Sequence, residues 1–233
     1  GRMTLEEKVA QLMMVDARSE DLSFINTLQP GSILHILGEK IGRAMDLAAQ
    51  NRLAIPLLVG EDGIHGHSFW KGATIFPTQL AMAASWSPEL LEKVARVTAE
   101  EMVPTGALWT FSPVLCLTRD LRWGRTGETF GEDPYLIGEF AAAMIRGYQG
   151  QGLDDPTAVL ATAKHYAGYS ETQGGRDASE ADISRRKLRS YFLPPFERAV
   201  KAGAMTFMTG YQSMEGVPST ANRWLLTTVL KDE

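Results

Sequence analysis

Hydrophobic runs of strand length alternate with amphipathic segments of helix length along the chain. Five runs predict strands: GSILHI (31–36), IPLLVG (55–60), ALWTFSPVL (107–115), AVLATAKH (158–165) and AMTFMTGY (204–211). Helix patterns cover residues 4–13, 42–52, 87–102, 134–150 and 183–203, the last interrupted at Pro194-Pro195, and NRWLLTTVLKDE adds another helix. This alternation predicts parallel strands joined by crossover helices.

An open doubly wound sheet and a (β/α)8 barrel both fit this order, and both gather chemistry at the carboxyl ends of the strands. Polar side chains follow three predicted strands: Glu61 and Asp62, Lys164 and His165, and Tyr211. No GxGxxG follows the first strand and no P-loop occurs, so the nucleotide-binding version of the open sheet loses support. The sequence favours the barrel, with about the first five βα units present.

Composition narrows the classes of function. The 233 residues carry a net charge of −5 and no basic stripe, which argues against nucleic acid and against an anionic membrane surface as partners. The single cysteine, Cys116, excludes an internal disulfide and a Cys-based zinc cluster, and we expect it to be a small buried hydrophobe. No apolar run reaches the length of a spanning helix, and the compartment is left open.

The loop GEDGIHG (60–66) has two interpretations. Asp and Gly dominate tight turns for backbone reasons, so a turn alone accounts for it. Alternatively, the glycines bend the backbone so that Asp62 points into a pocket. There an ionised carboxylate would accept charge-assisted hydrogen bonds from hydroxyls, as a sugar site requires.

The block RDLRWGR (119–125) is followed by three carboxylates, Glu128, Glu132 and Asp133. A solvated loop with screened ion pairs is one interpretation. Trp123 between the arginines instead indicates a packed or stacking surface. An arginine buried there would need one of the carboxylates as its partner.

Lys164 and His165 stand together at the end of a predicted strand, with GGRD (174–177) close behind. On an extended strand the two side chains point to opposite faces, whereas a bend leaving the strand turns both toward one site. A lone histidine is usually a satisfied core residue and a lone lysine is usually solvated. Their pairing at a strand end favours a functional site.

Seven blocks, taken together, resemble a known family: MTLEEKVAQL, GEDGIHG, RDLRWGRTGETFGEDPYL, KHYAGY with GGRD, LPPFERAV, MTGYQ and GVPSTANRWLLTTVLKDE. In order and spacing they are similar to the N-terminal barrel domain of glycoside hydrolase family 3, the β-glucosidase and β-xylosidase type. The resemblance runs over nearly the whole chain. It implies a retaining, exo-acting β-glycosidase that releases terminal β-linked glucose or xylose from oligosaccharides or glucosides, with no cofactor and no metal.

The resemblance also implies a set of residues that bind the sugar in the −1 subsite: Asp62, Arg125, Lys164, His165, Arg176 and Tyr211, with Arg122 as a second candidate from the RDLRWGR block. Asp62 would hold hydroxyls at the non-reducing end. Lys164 and His165 would donate to hydroxyls of the same ring. Tyr211 would lie beside the catalytic nucleophile.

Two family features are expected outside the chain. The nucleophile of the family is an aspartate on a strand about ten residues beyond the stretch that corresponds to Lys231-Asp232-Glu233, and the acid/base carboxylate usually comes from a later domain. Residues 1–233 are therefore expected to be the N-terminal part of the catalytic barrel domain, inactive alone. The expected partners are a β-glucoside or β-xyloside and the rest of the same enzyme, including a C-terminal α/β domain. In the stretch around Cys116, before the RDLRWGR block, relatives often have an acidic residue, so local ion pairing is expected to differ.

Two other classes stay open. Lys164 at a barrel strand end also suits a lyase that forms a Schiff base, which borohydride would trap. A non-catalytic sugar-binding module would need only the polar ring of side chains, and hydrolysis by the intact protein would exclude a purely binding role.

Overall fold

The computed structural model describes residues 2–233, in which six parallel strands form one curved sheet. The strands are β1 (Met14–Asp16), β2 (Ser32–Leu34), β3 (Leu58–Glu61), β4 (Trp109–Thr110), β5 (Leu160–Tyr166) and β6 (Thr206–Thr209). Each strand pairs in parallel with the next one in the chain, so the spatial order is the chain order. A doubly wound sheet would reverse this order at a switch point. The sheet is thus part of a (β/α)8 barrel, as predicted, and it contains one strand, β1, that the sequence did not predict.

Helices cover the outer face of the sheet. They are α1 (Leu5–Ala10), α2 (Phe24–Thr27), α3 (Glu39–Ala49), α4 (Gln79–Ala83), α5 (Pro88–Met102), α6 (Pro134–Gln149), α7 (Arg185–Lys187) and α8 (Pro194–Lys201), with π-helical segments at Leu188–Phe192 and Trp224–Asp232. Helix α6 packs against α5 on one side and α8 on the other. The predicted interruption at Pro194 is confirmed, because α8 begins there after the π-helical segment. No helix within residues 2–233 is both long enough and apolar enough to cross a membrane.

The apolar core lies between the sheet and these helices. One cluster joins α5, α6 and α8 to β5, and a second joins α3 to β2 and β3. In β5 every residue after Leu160 is buried, because helices cover one face of the strand and neighbouring loops and strands cover the other. A strand that is buried on both faces typically has a continuous apolar run such as VLATA.

The carboxyl end of β5 departs from regular pairing. Its register with β6 shifts between Lys164 and Tyr166, and on the other side Lys164 forms a bridge to Val114. An irregularity of this kind re-aims side chains that a straight strand would send to opposite faces. Beyond β6 a short hairpin of β7 (Ser213–Met214) and β8 (Val217–Pro218) follows, and Ala181 bridges to Met214.

Candidate active site

An open cavity of about 470 Å³ lies at the carboxyl edge of the sheet. Its walls are formed by Met14, Leu34, His35, Asp62, Ile64, His65, Ser68, Phe69, Phe111, Arg125, Glu128, Lys164, His165, Met208 and Tyr211. Five of the predicted site residues are therefore brought to one cavity although they come from four separate parts of the chain. In an α/β barrel this edge is where side chains from several strand ends meet.

Lys164 and Asp62 form an ion pair across the cavity floor. The ammonium Nζ donates to Asp62 Oδ1 at 2.7 Å, and the side chain of Lys164 is 4% exposed while that of Asp62 is 29% exposed. The pair joins the ends of β3 and β5, which are separated by 102 residues in the chain. The lysine is thus held as a buried cation, and the carboxylate keeps a face toward the cavity.

His165 is 2% exposed, and both of its ring nitrogens have partners. Nδ1 lies 3.4 Å from the Sγ of Cys116, and Nε2 lies 3.4 Å from a terminal guanidinium nitrogen of Arg125. The ring also packs edge-on against Tyr169, with centroids 4.8 Å apart. Burial, and then the charges of Lys164 and Arg125, lower the pKa of His165 to about 2, so the imidazole is neutral.

Arg125 is the half-buried arginine that the sequence predicted would need a carboxylate. Its guanidinium donates to both carboxylate oxygens of Glu128, at 2.8 and 2.7 Å, and it lies over the ring of Tyr169. Burial alone would lower the pKa of Arg125, but the hydrogen bonds and charge of Glu128 hold it above its ordinary value. Arg125 is therefore a fixed cation at the cavity wall.

Trp123 supports this wall from behind. Its ring is 1% exposed, its Nε1 donates to Asp177 Oδ1 at 2.9 Å, and it packs edge-on against Tyr169. The prediction that Trp123 belongs to a packed surface is confirmed. Cys116 is also buried, as predicted, and burial raises the pKa of its thiol to about 12.

The remaining predicted residues take different positions. Tyr211 is 72% exposed at the cavity rim, where its ring packs edge-on against Tyr169. Arg122 is exposed and bound to Asp120, outside the cavity lining. Arg176 is exposed after a short turn and also lies outside the lining. The roles of all three in binding a sugar stay predictions.

The sequence did not single out His35, which follows β2 and lines the same cavity. Its Nδ1 lies 3.1 Å from Glu61 Oε1, and Glu61, only 2% exposed, also accepts the backbone N–H of Asp62 at 2.9 Å. Glu61 therefore connects the backbone that positions Asp62 with a second imidazole. A polar residue directly after the GSIL strand is the signal that would have found it.

Within residues 2–233 no three His, Cys, Asp or Glu side chains are grouped closely enough to hold a metal ion. The cavity instead offers fixed cations, carboxylates and imidazoles. Such a set suits a neutral ligand with many hydroxyls, because each group can donate or accept one directed hydrogen bond.

Comparison with known proteins agrees with this geometry. The family model for the glycosyl hydrolase family 3 N-terminal domain matches residues 4–233. A β-xylosidase of Formosa agariphila is 41% identical over 84% of the chain and 28% of its own length, and a periplasmic β-glucosidase of Salmonella typhimurium is 33% identical over 100% of the chain and 31% of its own length. The chain spans about a third of the length of these relatives.

Solved structures share the fold closely. A β-glucosidase involved in saponin metabolism from intestinal bacteria is 60% identical with a TM-score of 0.92, over 98% of the chain and 31% of its own. The β-glucosidase of Listeria innocua in complex with isofagomine is 35% identical with a TM-score of 0.90, over 98% of the chain and 33% of its own.

Proposed function

The chain belongs to glycosyl hydrolase family 3, and from this membership we propose that the intact protein is a retaining, exo-acting β-glycosidase. Residues 1–233 form the N-terminal part of its catalytic barrel domain and supply most of the −1 sugar site. The substrate is a terminal β-linked glucose, or xylose, on an oligosaccharide or glucoside. The relatives, which are named as β-glucosidases and β-xylosidases, support this reading.

One observation carries the proposal: the Lys164–Asp62 pair, Arg125 and His165 converge on a single open cavity. A pyranose presents a ring of hydroxyls, each of which donates one hydrogen bond and accepts others. Asp62 keeps oxygens free to accept, while the ammonium of Lys164 and the guanidinium of Arg125 donate. Hydrogen bonds that tighten as an oxocarbenium-like transition state forms would lower the barrier.

A retaining mechanism needs one carboxylate to attack the anomeric carbon and one carboxylic acid to protonate the leaving oxygen. In the cavity, Asp62 is held by Lys164 and Glu128 is held by Arg125. Each of these two carboxylates is thus paired with a cationic side chain. We therefore assign the nucleophile and the acid/base to parts of a longer protein. The chain spans only about a third of its relatives' length, which leaves room for both.

The Schiff-base alternative fits the geometry poorly. A lysine must lose its proton to attack a carbonyl carbon. The Nζ of Lys164 instead donates to Asp62 Oδ1 at 2.7 Å, and the side chain is 4% exposed, so the nitrogen is engaged in a buried ion pair. Treatment of the intact protein with borohydride and a ketose or aldehyde is expected to give no adduct at Lys164.

A glucoside with an apolar aglycone is a further substrate candidate. The neighbour that is 60% identical is a β-glucosidase involved in saponin metabolism. Phe69 is 57% exposed at the same cavity and offers an apolar surface next to the polar sugar site. Replacement of Phe69 by Ala is expected to raise KM for such glucosides more than for a disaccharide.

The experiment that tests the proposal is hydrolysis of 4-nitrophenyl β-glucoside and β-xyloside by the intact protein. We expect release of nitrophenol with retained anomeric configuration in the first sugar product, and a loss of roughly 10- to 100-fold in kcat/KM in Lys164→Met. Lys93→Met is the matched control, because Lys93 is exposed on α5 and lies outside the cavity lining. Absence of hydrolysis of both substrates would overturn the assignment.

A further inference from the structure

The two ring nitrogens of His165 contact Cys116 and Arg125, which differ in their ability to donate and accept hydrogen bonds. Arg125 is a donor only, since a guanidinium has no lone pair to offer. Its terminal nitrogen is 3.4 Å from Nε2 of His165, so Nε2 must be the acceptor in that contact. The other ring nitrogen, Nδ1, is 3.4 Å from Sγ of Cys116, which also receives the backbone N–H of His165 at 3.4 Å.

Only one neutral form of the imidazole satisfies both contacts. With the proton on Nδ1, the ring donates to Sγ and its Nε2 lone pair accepts from Arg125. With the proton on Nε2, two N–H groups would face each other across 3.4 Å, and the buried Nδ1 would depend on the weak S–H donor. The first form is therefore favoured by the hydrogen-bond inventory alone.

The charges around the ring agree with a neutral imidazole. Lys164 precedes it in the chain, Arg125 faces Nε2 from the RDLRWGR block, and Glu128 lies behind Arg125. Cys116 and Tyr169 close the remaining sides, and neither carries a charge, since burial raises the pKa of both groups. A second proton on His165 would face two cations in a buried site.

We propose that Cys116 is a positioning residue that fixes His165 as its Nδ1–H form, so that Nε2 serves the sugar site as a hydrogen-bond acceptor. The inference rests on the proposed glycosidase function. It differs from the donor role for His165 that the family resemblance implies. A sugar hydroxyl that lies between the two side chains donates its proton to Nε2 of His165 and accepts a hydrogen bond from Arg125. The two side chains together therefore fix the direction of both hydrogen bonds of that hydroxyl.

The acceptor role is tested with substrate analogues on the intact enzyme. Aryl β-glucosides in which the 3-, 4- or 6-hydroxyl is replaced by hydrogen or by fluorine are compared on the wild type and on His165→Phe. Carbon-bound fluorine accepts weakly and never donates. The ratio of wild-type to variant kcat/KM for each substrate cancels the intrinsic effect of fluorine on reactivity.

At one hydroxyl position we expect the ratio of wild-type to His165→Phe kcat/KM to be roughly 10 for the parent glucoside. For the deoxy and the fluoro analogue at that position the ratio should fall to about 1, because neither can donate a hydrogen bond to Nε2. If the fluoro analogue keeps the parent ratio while the deoxy analogue loses it, His165 donates and the proposal is wrong. If the ratio falls at no position, His165 contacts no hydroxyl and the proposal is equally wrong.

The role of Cys116 is tested by three substitutions. Cys116→Ala removes the acceptor of Nδ1–H and is expected to lower kcat/KM roughly 10-fold, while Cys116→Ser, whose hydroxyl still accepts, restores it. Cys116→Asp places a carboxylate beside Nδ1 and raises the pKa of His165. Below that pKa the protonated Nε2 faces Arg125, so the pH profile of kcat/KM gains an acid-side loss that the wild type lacks.

A Cys116→Ala enzyme with wild-type kinetics, or an Ala loss that Ser fails to rescue, would contradict the positioning role. The tautomer itself is read without activity, from the imidazole 15N shifts of the histidine-labelled intact protein, assigned by the signals missing in His165→Phe. We expect a protonated Nδ1 and an unprotonated Nε2, and the reverse pattern overturns the inference. Failure of the parent glucoside to react would instead count against the proposed function, while the 15N result would stand.

Discussion

The two partners of the Lys164–Asp62 pair are buried to different degrees, and this predicts different effects when each is removed. The ammonium is 4% exposed and the carboxylate 29%. Asp62→Asn leaves a buried charge without its counterion, which is expected to cost about 3 kcal/mol of unfolding free energy. Lys164→Met leaves a carboxylate that water still reaches, so its cost is expected to be smaller. Guanidinium unfolding of the intact protein measures both, and equal losses would contradict the asymmetry.

The lowered pKa of His165 also predicts how the stability of the fold depends on pH. Burial first, then Lys164 and Arg125, lower its pKa from 6.5 to about 2 in the folded protein. Below about pH 6.5 the unfolded chain binds a proton at this residue that the folded protein does not, so this contribution destabilises the fold increasingly as pH falls. His165→Phe is expected to have a shallower loss of stability between pH 6.5 and 4 than the wild type. An identical slope would mean that His165 is protonated in the fold.

The sequence predicted several of the polar residues that line the cavity, but it did not predict which of them contact one another. The blocks that hold Asp62, Lys164 and His165 follow strands, and the strands bring them to one edge. The resemblance ranked Arg125 above Arg122, but no local pattern separates the two, because both lie within two residues of Trp123 and only the backbone path turns Arg125 toward Glu128. The hydrogen-bond direction at His165 depends on Cys116, 49 residues away, which no local pattern records.

At the scale of elements, the long helices and five of the six strands of the parallel sheet were predictable, whereas β1 was not. The strand β1 has three residues, Met14–Asp16, and is separated from α1 by residues 11–13. Leu12 and Met13 continued the helical pattern, so the sequence extended the helix to residue 13. The strand forms because β2 offers a parallel partner, with Val15 opposite Ile33. Tertiary pairing of this kind outweighs local propensity over three residues.

Gly147 in α6 marks a close approach between helices. A Cβ added there would lie 2.3 Å from the carbonyl oxygen of Glu92 and 2.6 Å from Cβ of Ala95, both in α5. Gly147→Ala is therefore expected to destabilise the protein by about 1–3 kcal/mol, although alanine is the better helix former.

Gly42, in the middle of α3, is the matched control for Gly147. A Cβ at Gly42 meets nothing within 4 Å, and its φ lies outside the left-handed region. Gly42→Ala is expected to stabilise the fold by up to about 1 kcal/mol through helix propensity alone. Thermal unfolding of the two variants should shift in opposite directions. A stabilising Gly147→Ala would mean that α5 and α6 are not packed as closely as the structure has them.

For the whole molecule, the six-stranded order leaves β1 and β6 with a strand neighbour on one side only within residues 2–233. A cavity of about 470 Å³ has an apolar wall of Tyr166, Leu193, Phe196, Val200 and Leu230, with Arg189, Glu197, Lys201 and Glu233 also in its lining. Tyr166 and Phe196 of this wall pack against Phe207 of β6. Unpaired strand edges next to apolar surface are templates for association with another chain. The relatives, about three times as long, have further chain to cover such surfaces.

On the proposal that residues 1–233 are part of a longer protein, we predict that they associate with one another when expressed alone, and that the longer protein does not associate through this surface. The isolated segment should elute from a sizing column as a concentration-dependent oligomer and should increase the fluorescence of an apolar dye. Val200→Lys, on the exposed part of that surface, should reduce both signals because a charge is costly to bury in a contact between copies. The matched change Leu121→Lys, at an exposed position of the RDLRWGR block outside that cavity, should reduce neither. A monomeric segment that binds no dye would show that the β6 side is stable in water by itself.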